Sequence, residues 1–135
     1  MRARAVFIAL ALTGLVVLGC KKETPAHQAL VVDAKGRALV LKGQYPQAIT
    51  LYSTAIESDG TNGAVYFHRG TARMLDASMG GVSDLKDAIA DFTMAIRLDP
   101  IVRPSAYRAR GDAKHLKGDE AGARQDWDQA NAAGR

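Results

Sequence analysis

One cysteine, three histidines and a few serines are the side chains of this chain best suited to attack a substrate or hold a metal. Cys20, the sole thiol, would be the strongest nucleophile. It stands at the end of a fourteen-residue apolar run, Ala5 to Leu18, which follows Arg2 and Arg4 and is closed by the small residue Gly19. That is the three-part layout of a secretory signal, and the run is too short to span a bilayer, which takes about 20 apolar residues. A lone cysteine has no disulfide mate in the oxidising compartment such a signal leads to. His27, His68 and His115 lack the short spacing of a metal site. Gly80-Gly81 lacks the lysine and spacing of a phosphate loop, and Ser53 and Ser58 have no neighbouring histidine and acid to activate them. The residues therefore predict no catalytic group, no metal ligand and no cofactor, and the chain is not expected to be an enzyme.

Val17-Leu18-Gly19-Cys20 resembles the lipobox of bacterial lipoproteins, with Leu18 bulkier than the residue usual at its place. The resemblance implies a signal peptide over 1–19, Cys20 as the first mature residue with its sulfur carrying a diacylglycerol (palmitate among the acyl chains), and a short linker over 20–28. An ordinary signal with a stray cysteine near its end is the alternative. Each buried CH₂ contributes ~0.8 kcal/mol, so two or three chains hold a protein on a membrane where one lets go. Lys21 at the second mature position, where Asp would be the retention residue, implies the periplasmic face of the outer membrane in a Gram-negative host. Losing Arg2 and Arg4 takes the formal charge from +4 to +2. Lysines and arginines adjoin one another only at Lys21-Lys22, which argues against nucleic acid as a partner.

An internal period accounts for the rest of the chain. With Gly36, Gly70 and Gly111 aligned, Ala48, Ala88 and Ala123 fall into register, then Tyr52, Phe92 and Trp127, then Ala55, Ala95 and Ala130. Small residues at a crossing, with a ring wedged beyond them, are what two closely packed amphipathic helices need. The ladder resembles the tetratricopeptide repeat, a helix-turn-helix unit of 34 residues. The resemblance implies an all-α domain over 29–135. In it three units (29–62, 63–102 and 104–135) stack as a short right-handed solenoid, and Trp127 and Phe92 are core. Pro46 near a helix start, Gly43 and Gly118 at helix ends, and Ser83 and Asp119 as N-caps agree with those borders. The large first-helix residue of the family is Tyr66 and Tyr107 in the later units but Val32 in the first. The glycine-to-alanine step is twelve residues in two units and eighteen in the second. About six residues around 76–81 are thus inserted, as a plain surface loop or as a contact edge.

Function in such stacks resides on the concave face lined by the first helices. Carried across by resemblance, that face receives Arg37, Phe67, His68, Thr71, Arg108 and Asp112 as partner-binding residues, with Phe67 readable either as contact or as core. The family's clamp for a C-terminal carboxylate uses Lys and Asn where this chain has Asp33 and Arg37, so that activity is not inferred. The first helix is apolar nearly all round, and Leu30, Val31 and Val40 mark an interface. A protein partner, a second copy in a homodimer, or the segment 23–28 folded back would each cover it. The sequence thus predicts a lipid-anchored docking module for an envelope complex of a pilus, secretion or outer-membrane type. The alternative is a periplasmic homodimeric scaffold with no peptide groove.

Overall fold

The computed structural model describes residues 24–133, so the expected signal peptide and the expected lipidation at Cys20 lie outside the described residues. The described chain is all-α: α1 (Pro25–Leu41), α2 (Tyr45–Ser58), α3 (Gly63–Ser78), α4 (Leu85–Leu98), α5 (Arg103–Leu116) and α6 (Glu120–Ala133). Each helix packs on the next in chain order, and the odd-numbered helices also touch one another, α1 on α3 and α3 on α5. Among these residues no helix is long and apolar enough to cross a membrane.

Local chemistry sets the borders. Thr24 accepts the His27 N–H at 3.3 Å and opens α1 at Pro25, four residues ahead of the expected start at Ala29. Asn62 takes the Ala64 and Val65 N–H groups at the head of α3, and Asp119 takes the Gly122 N–H at the head of α6. Each satisfies a donor that has no partner within its helix. The cap of α4 is Asp84 rather than the expected Ser83, because the Asp84 carboxylate reaches the Lys86 N–H at 2.8 Å. Gly43 and Gly118 end α1 and α5 with φ of +70° and +90°, a region costly for any side chain with a Cβ.

The aligned glycines and rings meet in space. A Cβ on Gly36 would collide with the Tyr52 ring, one on Gly70 would lie 2.9 Å from the Phe92 ring, and one on Gly111 would lie 2.7 Å from that of Trp127. Tyr52 and Phe92 are the largest fully buried side chains. Trp127 is only half-buried, and its indole N–H donates to Asp112 at 2.9 Å. The insertion after α3 is folded around Asp76, a buried carboxylate that accepts the Ser83 N–H at 3.0 Å while its own carbonyl accepts that of Gly81. Its tip leaves Met79 and Val82 in solvent.

A second periodic device joins the helix pairs. Arg69 of α3 grips Asp91 of α4 with two hydrogen bonds, of 3.0 and 2.7 Å, and Arg73 adds a third of 2.7 Å. In α5 and α6, Arg110 and Lys114 hold Asp126 in the same way. Tyr66 and Tyr107 lie under the two guanidinium groups, 5.6 and 5.4 Å from ring centroid to carbon. The first pair has Val32, Leu39 and Leu51 at the matching places, so it carries no such lock and α1 packs less closely on α2.

Candidate functional site

Two clusters form where α1, α3 and α5 lie side by side. The first joins Asp33 and Arg37 of α1 to Tyr52 of α2 and His68 of α3. His68 Nε2 lies 2.9 Å from Asp33 Oδ1, an ion-pair distance without hydrogen-bond geometry. Burial pushes the His68 pKa down, Asp33 pulls it back up and Arg37 lowers it; the net shift is downward. The ring stacks on Tyr52 with centroids 5.9 Å apart. Burial first, then the Asp33 charge, raises the Tyr52 phenol to about 12 against the opposing pull of Arg37, and its buried hydroxyl has no hydrogen-bond partner among the described residues. Arg37 stays exposed, 3.8 Å from Asp33.

The second cluster is an open cavity of about 370 Å³ whose walls include Phe67, Ser105, Arg108 and Asp112. Asp112 is engaged by Trp127, and the Arg108 guanidinium donates to Asn131 at 3.3 Å. Phe67 does both things the sequence left open. Its ring packs on Phe92 and His68, with centroids 5.9 and 5.4 Å away, and touches two core clusters, while its remaining surface faces this cavity. The structure thus brings Phe67, Arg108 and Asp112 together, and places Arg37 and His68 in the adjoining cluster. Thr71 joins neither, because its hydroxyl donates to the Phe67 carbonyl at 2.9 Å within its own helix. His68 and His115 are held apart by different partners, His115 Nδ1 lying 2.8 Å from Glu120.

A larger cavity, about 590 Å³, opens between α1, α2 and the start of α3, walled by Val31, Val32, Leu51, Ala55 and Val65. Val32 and Leu51 on its wall stand where the later pairs have a tyrosine and the aspartate of the lock, and valine leaves unfilled the room a tyrosine ring takes. The sequence signal was the valine aligned with Tyr66 and Tyr107. Val40, expected at an interface with Leu30 and Val31, packs on the core beside Val32 and Leu39, and Leu30 is 70% exposed. Val32→Tyr should place a ring in the cavity and raise unfolding stability by about 1 kcal/mol, the usual scale for cavity filling. Thermal denaturation reads this directly, and a lowered midpoint would show that the walls cannot admit the ring.

The same helical fold recurs among solved proteins. The model of the TPR repeat (tetratricopeptide) family matches residues 36–75, from the middle of α1 into α3. The second TPR domain of Spaghetti (RPAP3), solved with the HSP90 peptide SRMEEVD bound, is similar at 27% identity and a TM-score of 0.67, over 78% of this chain and 92% of that one. The first TPR domain of the same protein, bound to the same peptide, is similar at 24% identity and a TM-score of 0.67, over 78% and 79% of the two chains. No curated protein sequence matches the chain. The helical fold is therefore that of tetratricopeptide domains, a family of protein–protein interaction modules.

Proposed function

We propose that this chain is a three-repeat docking module, anchored by acyl chains on Cys20 to the periplasmic face of an outer membrane, that binds a protein segment along α1, α3 and α5. The supporting observation is the joint cavity of Phe67, Arg108 and Asp112 on a fold whose solved relatives hold a peptide. A half-buried ring beside a guanidinium suits an apolar side chain next to an acidic group. Asp33 puts a negative charge where the carboxylate clamp of the family has a lysine, so the partner is not a tail of the SRMEEVD kind. The membrane reading rests on the Val17–Cys20 motif and the apolar run before it.

The test uses membranes from the native host and tagged protein. Arg108→Glu lies on exposed surface and should leave helicity unchanged while abolishing the crosslink to a defined envelope protein. If capture persists, the cavity is not the docking site. Metabolic labelling with palmitate should mark wild type and not Cys20→Ser, and label in both would remove the anchor reading while leaving docking intact.

A further inference from the structure

The locks that join helix pairs also join each pair to the one before. Arg69, besides gripping Asp91, donates to Ser53 Oγ of α2 at 3.1 Å, and Arg110, besides gripping Asp126, donates to Thr93 Oγ1 of α4 at 3.0 Å. In both junctions the donor is the residue before the aligned glycine, and the acceptor is the residue after the aligned ring. The same rule applied to the two ends of the described stack names Lys35 on α1 as a donor and Asp128 on α6 as an acceptor. Both are exposed, and neither has a partner among the described residues.

The surfaces around them are open in the same register. Val65 and Ala72 of α3, and Ala106 and Ala113 of α5, are buried against the preceding even-numbered helix. Their counterparts Val31 and Ala38 leave α1 half-buried and exposed at those places. On α6, Arg124 and Asn131 replace the isoleucine pairs (49 and 56, 89 and 96) that α2 and α4 carry. The two ends of the described stack thus keep the polar half of the junction, with opposite charges on its two sides, and α6 lacks the isoleucines of its aliphatic half.

We propose that the outer face of α1 docks on the outer face of α6 in a second copy of this chain, with Lys35 of one against Asp128 of the other. The contact pairs different surfaces, so it does not close on itself and adds copies in a row. Without the isoleucines its strength comes from charge, and it is weak and screened by salt. It does not depend on the docking cavity or on acylation of Cys20.

Sedimentation equilibrium of the full chain in mild detergent tests this, with wild type beside Lys35→Glu, Asp128→Lys and the double reversal. Each single reversal puts like charges face to face and should raise the self-association Kd at least about tenfold, while the double variant restores it. Circular dichroism verifies the fold, and Lys35→Gln with Asp128→Asn serves if a reversal alters it. Association through the apolar run of residues 5–18 would be indifferent to these charges. Wild type that stays monomeric to about millimolar concentration, single variants that associate as wild type does, or a double variant that stays weak would each overturn the proposal.

Discussion

Phe92→Ala should lower unfolding stability by about 3–5 kcal/mol, the range measured for emptying a fully buried aromatic site. The ring has no solvent exposure and lies where three helices meet. Gly70 of α3 passes over one edge, the Phe67 ring packs on it with centroids 5.9 Å apart, and Ala88 and Ala113 close the far sides. Those alanines are too small to move into the space left behind, and their helices are pinned by the locks at Asp91 and Asp126. Collapse would therefore have to strain the ion pairs. Trp127→Ala, at the matching place in α5–α6, should cost less, because Trp127 is half-buried and loses one hydrogen bond to the exposed Asp112. Urea denaturation of both variants gives the ordering. Equal losses would mean that wedge position rather than burial sets the cost.

The Gly–aromatic ladder could be read from the chain because one pairing rule repeats at fixed spacing. A glycine and a ring sixteen or twenty-two residues apart are informative when three such pairs line up. The N-caps were less legible: Ser83 and Asp84 are both good capping types, and only backbone geometry decides which carboxylate or hydroxyl meets a free N–H. The buried aspartates went unread for a different reason. Charged residues are seldom buried unless paired, so residue type alone does not mark Asp91 and Asp126 as core, although each directly precedes an aligned ring and answers an arginine beside an aligned glycine. Phe67 resisted a single reading because neither spacing nor type can show a ring that packs with one edge and faces a cavity with the other. The first-pair cavity was implicit in Val32, since a valine in place of tyrosine removes a ring that the neighbouring side chains do not replace.

Asp126→Ala should rank with the largest losses, at about 3–5 kcal/mol, because it leaves two cationic side chains in a partly dry site with nothing to neutralise them. Asp126 is 2% exposed and receives Arg110 at 2.8 and 2.7 Å and Lys114 at 2.9 Å. Burial alone would raise its pKa. The hydrogen bonds from Arg110 and Lys114, followed by their charges, outweigh burial and hold the carboxyl below its ordinary value. The sign of the pH effect follows. The folded state binds its proton less readily than the unfolded chain, so this stabilisation is complete above the unfolded pKa of about 3.9 and is lost as pH falls through the lower folded value. Asp126→Asn keeps the shape and part of the hydrogen bonding without the charge. It should cost less than alanine at pH 7 and flatten the decline in stability below about pH 5. Denaturant titrations at a series of pH values separate the two contributions. A pH profile of Asp126→Asn that overlays wild type would show that the lock stabilises through packing of the long side chains and not through charge. The first helix pair, which has Leu39 and Leu51 at the matching positions and an open cavity beside Leu51, shows that apolar residues there are compatible with the fold. What the ionic version adds is reach, since the arginine that holds Asp126 also holds Thr93 of the preceding pair. A leucine at that place would pack within its own pair and leave the junction to the aliphatic contacts alone.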